Sequence, residues 1–417
     1  MPLNNFKIEK KLSNALGRAG VLFTQNGEIQ TPAFAVVGTK ATVKSLTPEQ
    51  VRLTGSQVVL ANTYHLYLEP GEEQIKEAGG LQNFMNWQGP TMTDSGGFQA
   101  FSLGVAYGEG IGKFIASDEP EPEVLKKGFD GKNKFAKVSE EGIGFKSIID
   151  GSSHSMSPEK SIQIQNDLGA DIIFALDEFT SPHADKEKIK QTIDRTQRWA
   201  KRCLDEHKKL GKNKIVPLHP ATRDPHGSNF IFSQFLFGIV QGGRYEDLRK
   251  ESAKAIGSMD FAGFGIGGTF IKEDMARAVK WVNEILPEEK PRHLLGVGEP
   301  LDIFLGVENG CDTFDCVAPT RMARNGGLYT KYGKINITNA KYKNILEPIE
   351  EGCGCYTCQN YTSSYVTHLF RAKEMLAATL ATIHNLYFIN SLFSSIRDSI
   401  LNDTFFDLKE SFFAKYK

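Results

Sequence analysis

Leu236-Phe237-Gly238-Ile239-Val240-Gln241-Gly242-Gly243 is a short apolar run that stops on an amide and two glycines. A run this short is below helical length, and its glycine punctuation marks a strand buried on both faces. The pattern recurs. Phe34–Val37, Val58–Ala61, Thr91–Thr93, Ile172–Leu176, Gly263–Ile266, His293–Val297 and Thr313–Val317 are further runs, each ending in glycine or a polar residue. Helix-start signals lie between them. Thr47-Pro48-Glu49-Gln50 has an N-cap, a proline at the first helical position and a capping-box glutamine, and Ser157-Pro158 opens a helix in the same way. Strands alternating with helices predict a parallel sheet, and eight of them predict an α/β fold of the (β/α)8 TIM-type barrel class.

The bulk composition agrees with a soluble globular chain. Of 417 residues, 40% are hydrophobic and 24% charged, which excludes a collagenous or wholly disordered protein. The N-terminus has no apolar h-region, so no secretory signal is expected. The most apolar stretch, Phe230–Val240, is interrupted by Ser233 and Gln234 and reads as a buried strand; no membrane association is expected. With a metal-like cysteine cluster, the cytoplasm is the expected compartment. Net charge is −1, yet Cys316–Leu346 holds no acidic residue while carrying Arg321, Arg324, Lys331, Lys334, Lys341 and Lys343. That block is a candidate phosphate-binding surface.

Two segments break the alternation. Gly104–Gly142 is glycine-rich and charged and contains Asp118–Glu123, an acidic run with two prolines that cannot pack; it is expected to be a surface insertion. Lys212–Asn229, with Pro217, Pro220 and Pro225, is expected to be a loop.

In a barrel of this class, chemistry gathers where the strands end. The runs deliver Asn62, then Asp94-Ser95-Gly96-Gly97-Phe98-Gln99, then Asp177-Glu178, Gln241-Gly242-Gly243, Gly267-Gly268-Thr269, Gly296-Val297-Gly298 and finally Asp315. Carboxylates and amides would meet at one mouth, among glycines that let backbone approach a ligand. Paired carboxylates with amides able to read a purine edge point to chemistry at a glycosidic carbon, one Asp attacking while the other handles protons. Gly263, Gly265 and Gly268 formally match a dinucleotide fingerprint, but they lie within the strand and not after it.

Half of the six cysteines fall in Cys353-Gly354-Cys355-Tyr356-Thr357-Cys358. Thiolates this close suit one tetrahedral zinc ion, whereas a disulfide inside so short a segment would be strained. His368 and His384, on the helical stretch Thr362–Asn402, are both available as a fourth ligand. If that stretch were one helix, their separation of sixteen positions would set the two on nearly opposite faces, so only one could point at the cluster. Phe405–Lys417 is expected to be another short helix.

Asp94-Ser95-Gly96-Gly97-Phe98-Gln99, Phe237-Gly238-Ile239-Val240-Gln241-Gly242-Gly243, the run from Phe314 to Gly326 and the cysteine cluster together closely resemble the bacterial tRNA-guanine transglycosylases, from about Thr31 to the C-terminus. The resemblance implies exchange of the wobble guanine of tRNA for a 7-deazaguanine base on the route to queuosine. Asp315 matches the family nucleophile and Asp94 the proton acceptor. Asp177, Gln241 and the backbone at Gly267, Gly268 and Thr269 match the groups around the purine edge. Phe98 matches the aromatic that stacks on the base, and Asn62, Ser95, Gly96, Gly97 and Leu295 match further pocket positions. Gly296, Val297, Gly298, Glu299, Pro300, Leu301 and Asp302, with Thr320, Arg321, Met322, Ala323 and Arg324, match segments that touch the tRNA. The family's structural zinc ligands match Cys353, Cys355, Cys358 and His384, so the resemblance selects His384 over His368. It also implies a homodimer, and a division into a catalytic barrel over residues 1–346, with an insertion at about 104–142, and a zinc-binding helical subdomain over 347–417. Phe179, Thr269 and Leu295 depart from the family's usual pocket, which leaves the incoming base open. Glu273 matches a carboxylate beneath the pocket floor. Two alternatives accompany this reading, a zinc-containing RNA-binding subunit without catalysis and a relative that inserts deazaguanine into DNA.

Overall fold

The eight runs fold into eight parallel strands that close into a barrel in chain order: Ala33–Val37, Val58–Ala61, Thr91–Thr93, Ile172–Phe174, Phe235–Val240, Gly263–Ile266, Arg292–Leu294 and Thr313–Cys316. The eighth strand closes on the first, with Phe314 opposite Phe34 and Asp315 opposite Ala35. The computed structural model describes residues 5–105, 114–115, 136–180, 184–211, 234–268 and 270–417.

Although several of these strands are almost wholly apolar, a period of two still sorts their side chains. Ala33, Ala35, Val58 and Leu60 join the cluster inside the barrel with Phe174, Phe237 and Ile239. Phe34, Val36, Val59 and Ala61 face the opposite way, into the layer shared with the helices. The two glycines of the sixth strand make room for this packing. A Cβ on Gly263 would lie 2.5 Å from the Phe237 ring, and one on Gly265 would lie 2.6 Å from Ile239. Their spacing is a packing device and not a dinucleotide turn.

An antiparallel sheet of Phe6–Lys11, Arg18–Thr24 and Gly27–Thr31 precedes the barrel and has no counterpart in the sequence expectations. It adds Phe6, Leu22 and Ile29 to the interior cluster. It also ties to the residues that start two barrel strands. Asn26 donates its backbone and side-chain N–H to Asp171 Oδ1 at 3.1 and 2.9 Å. Arg18 forms a bidentate pair with Asp312 at 2.8 and 2.7 Å, buried on both sides, and Asp312 also accepts from Arg292 N at 2.7 Å. The sheet therefore covers the N-terminal end of the barrel, and the C-terminal ends of the strands form the open mouth.

Helix starts follow the sequence signals. Thr47 accepts from Gln50 N while Gln50 Oε1 accepts from Thr47 N, and Ser157 caps Pro158–Leu168. Ala136–Val138 is a strand, paired with Ile143–Lys146, which pairs in turn with Ser153–Met156. The distal end of the expected insertion is thus part of a small sheet, while its acidic run and the proline-rich segment 212–229 lie outside the described residues.

After the eighth strand come a helix Ala318–Arg324, a hairpin of Gly327–Thr330 with Gly333–Asn336, and helices Tyr356–Asn360, Ser363–Ala372, Met375–Leu401 and Phe405–Lys415. Met375–Leu401 lies over the seam between strands one and eight, where Phe393 packs against Phe34 (6.0 Å between ring centroids) and Phe314 (5.3 Å). A satellite cluster joins Ala323, Leu328 and Ile337 to Cys355, Val366 and Leu380, so the segments either side of residue 347 share one core. Among the described residues, no helix is long and apolar enough to cross a membrane.

Candidate active site and metal centre

A cavity of about 420 Å³ opens at the C-terminal ends of the strands, and Asp94, Ser95, Gly96, Phe98, Asp177, Gly267, Gly268, Leu295, Gly296 and Asp315 are in its wall. The volume suits a small ligand with most of its surface buried.

Asp94 follows the third strand and is held by three donors. Asn62 Nδ2 donates to Oδ2 at 2.5 Å, and the backbone N–H groups of Thr63 and Gly96 donate to Oδ1 at 3.0 and 3.1 Å. Asn62 is fixed in turn as the N-cap of Thr63–Leu68, accepting from His65 N at 2.9 Å. Gly96 must be glycine. Its φ is +78° and a Cβ there would lie 3.0 Å from Tyr64 N. Asp94 keeps some surface contact with solvent, yet its carboxyl sits deep in the cavity. Burial pushes its pKa up to about 7, against the three donors, and the nearby Asp315 charge adds to the rise.

Asp315 lies on the eighth strand. Its Oδ1 accepts from Gly296 N at 2.8 Å and is 3.1 Å from Nε2 of His293. Opposite, Gln241 Nε2 donates to Asp177 Oδ2, so an amide and a carboxylate are presented together. Phe98 meets Phe179 edge-to-face at 4.7 Å. Behind the glycine turns, the fully buried Arg249 donates to Gly243 O at 2.9 Å and Gly267 O at 2.8 Å, and burial pushes its pKa down to about 9.

The remaining sequence candidates are placed as follows. Asn62 and Gln241 stand one hydrogen bond behind the wall, on Asp94 and Asp177. Gly97 donates to Ser95 Oγ at 3.4 Å and begins the helix that carries Phe98. Thr269 lies outside the described residues, and Glu273 is exposed on the turn Lys272–Asp274 and is not in the wall. Of the segment 296–302, Gly296, Gly298 and Glu299 line the cavity, Leu301 is half-buried, and Val297, Pro300 and Asp302 are buried. Of 320–324, Arg321 is exposed and lines the cavity, Met322 and Arg324 are half-buried, and Thr320 and Ala323 are buried. Lys334 pairs with Glu299 at 2.5 Å and links the two segments. Sequence reasoning missed His293 and Arg249. His293 had a signal: it precedes Leu295 by two and so shares its face of the strand. Arg249 sits in an ordinary polar helix and had none.

Cys353 Sγ, Cys355 Sγ, Cys358 Sγ and His384 Nδ1 all lie within 4.8 Å of one another and could hold a metal ion. The three S···Nδ1 separations are 3.9, 3.5 and 3.4 Å. A tetrahedral zinc with bonds of about 2.3 Å to sulfur and about 2.0 Å to nitrogen requires roughly 3.6 Å. His384 Nε2 is 2.8 Å from Tyr329 O, which fixes that nitrogen as the donor and turns Nδ1 toward the thiols. The next residue, Asn385, donates to Pro319 O and Gly327 O, both at 3.0 Å, and accepts from Tyr329 N at 3.0 Å. His368 is exposed on a different helix, Ser363–Ala372, which ends at the left-handed Lys373 (φ 60°). The two histidines therefore lie on separate helices, divided by the turn at Lys373–Glu374, and not on two faces of one helix.

A family model described as queuine tRNA-ribosyltransferase matches residues 13–417. The chain is 44% identical over 414 residues to a queuine tRNA-ribosyltransferase of Thermoanaerobacter pseudethanolicus, covering 99% of this chain and 97% of that protein. It is 42% identical over 419 residues to the protein of that name from Staphylococcus aureus, covering 100% and 97%.

Proposed function

Because the chain belongs to the queuine tRNA-ribosyltransferase family and is a pentosyltransferase, we propose that it exchanges the wobble guanine of tRNA for a 7-deazaguanine base through a covalent ribosyl-aspartate at Asp315. The observation that carries this reading is the pairing of Asp94 and Asp315 in one cavity with the Asp177–Gln241 purine-reading pair. A carboxylate oxygen of Asp315 attacks C1′, the C1′–N9 bond breaks, and its electron pair leaves with guanine. N9 of the incoming base then gives its proton to Asp94 and bonds to C1′, and the C1′–O electron pair returns to Asp315. A pKa near 7 leaves Asp94 able both to protonate the departing guanine and to deprotonate its replacement.

Phe98 would stack on the base, and Ser95, Gly96, Gly97, Gly267, Gly268 and Leu295 would frame it. The rim segments 296–302 and 320–324 would receive the tRNA. Arg324 Nη1 is buried without a partner, and burial together with Arg321 lowers its pKa. Among the described residues neither arginine forms an ion pair with a carboxylate, and a phosphate would supply a counter-charge.

The ion of the Cys353, Cys355, Cys358 and His384 centre is zinc in this reading, and it is structural, since four protein ligands leave no open position. It would hold residues 347–417 as a helical subdomain on the catalytic barrel 1–346. A reducing, cytoplasmic setting keeps the thiolates available. In this reading the chain works as a homodimer, as the family resemblance implies.

The test is incorporation of radiolabelled guanine into an unmodified tRNA bearing a wobble guanine. Incorporation that disappears in Asp315→Ala is expected; none in the parent, or incorporation surviving that substitution, defeats the mechanism.

A further inference from the structure

We propose that His293 is the positioning residue of the Asp315 carboxylate and that Thr313 sets its tautomer; this rests on the reading of Asp315 as the nucleophile. The arrangement begins in the strand register. His293 on the seventh strand stands directly opposite Thr313 on the eighth. Two residues further on, Asp315 returns to the same face as Thr313. The imidazole is fully buried, with the Phe174 ring 5.2 Å away. Its Nδ1 is 2.9 Å from Thr313 Oγ1 and its Nε2 is 3.1 Å from Asp315 Oδ1.

An ionised carboxylate oxygen only accepts, so Nε2 must carry the hydrogen. In the neutral ring Nδ1 is then a lone pair, and the Thr313 hydroxyl, itself buried, donates to it. The chain Thr313 O–H to Nδ1, then Nε2–H to Oδ1, has one direction. Gly296 N donates to the same oxygen at 2.8 Å. Two donors from the end of the seventh strand thus engage Oδ1 and fix the carboxylate plane.

The same two donors act in both displacements. As N9 of the incoming base bonds to C1′ and the electron pair of the C1′–O bond returns to Asp315, negative charge reappears on a carboxylate already furnished with donors. His293 never touches the substrate in this scheme. It works by keeping Asp315 aimed, and a misplacement of this kind costs rate more than binding.

The experiment uses the full chain, an unmodified tRNA with a wobble guanine and radiolabelled guanine. His293→Phe fills the ring site without a donor, His293→Gln returns an amide N–H near Nε2, and Thr313→Val removes the hydroxyl at nearly constant volume. Expected for His293→Phe is a kcat lowered about 10–100-fold with the KM for tRNA within about twofold. His293→Gln should recover at least about fivefold of that loss, and Thr313→Val should fall between parent and Phe variant. Circular dichroism and melting checks the fold; if the Phe variant does not fold, the Gln and Val variants carry the decision. An active parent with Thr313→Val or His293→Phe within twofold in kcat, or Gln no better than Phe, overturns the inference alone. A parent that exchanges no guanine overturns the parent reading and this one together.

Discussion

Asn62 and Asp94, at the ends of neighbouring strands, are joined by an N–H···O hydrogen bond of 2.5 Å, the shortest of three that converge on this carboxyl. Even so, burial keeps the pKa near 7, well above the ordinary 3.8. The folded state therefore binds this proton more tightly than the unfolded chain does. The stability it contributes is complete below about pH 4 and is lost as pH climbs through about 7. Asp94→Asn, neutral throughout, should gain stability relative to the parent across that interval. The gain should reach up to about 4 kcal/mol, at about 1.4 kcal/mol per tenfold in proton affinity. Urea titrations at pH 4, 6 and 8 measure it, and a constant difference between the two proteins would refute it.

With Asp94 as the proton acceptor proposed above, the second half-reaction takes its pH dependence from this group. Resolution of a preformed protein–tRNA adduct by added base should accelerate as pH rises through about 7 and level off above it. In Asp94→Asn the adduct should still form, and its resolution should be slow and flat with pH. Rapid-quench measurement of adduct decay gives both curves; a slope retained by the variant assigns the base elsewhere.

Phe179 closes edge-to-face on Phe98 where the free base would stack. Phe179→Cys removes an aromatic wall without touching the rim. The KM for the free base should shift by about fivefold or more, and the KM for tRNA by less than about twofold. Competition between guanine and deazaguanine bases reads this directly, and equal shifts in both constants would remove Phe179 from base selection.

Arg18→Ala should destabilise the protein by about 3–5 kcal/mol, because the Asp312 carboxylate would be left buried with its main counter-charge gone. Replacing both residues with apolar ones should cost far less. Denaturant midpoints of the single and double variants test this; an indifferent single variant would show that the pair contributes nothing to stability.

With zinc at the Cys353, Cys355, Cys358 and His384 centre as proposed, its removal should be felt first in RNA binding. With His384 released, Asn385 loses its fixed place against Pro319 and Gly327, and the helix bearing Arg321 and Arg324 loses its support. A strong chelator, or Cys355→Ser, should lower the melting temperature and weaken tRNA binding about tenfold or more. Unchanged binding at matched salt after complete metal removal would break this link.

The barrel was legible because most of its eight strands fall in short, largely apolar runs with hard punctuation, and the mouth residues followed from where those runs stop. The clustering of the three cysteines was legible from spacing alone. The N-terminal sheet was not, since Phe6–Lys11 alternates polar and apolar like any surface strand, and its partner is the base of a barrel contributed by distant sequence. Placement of His384 needed a tertiary fact, the break at Lys373, that no count of residues along a single helix contains. His293 was hidden by register: only the pairing of strands seven and eight brings it beside Thr313 and Asp315.

That eighth strand is anchored twice, by Arg18 and Arg292 N at Asp312 and by His293 and Gly296 N three residues later at Asp315. The Asp315 carboxylate thus rides on a span too short to flex independently of its base. With Asp315 as the proposed nucleophile, substitutions in the N-terminal sheet, at the other end of the barrel, should therefore lower turnover. Substitutions there can surface in a screen as slow enzymes with an intact pocket, and the cause will lie at the opposite end of the barrel.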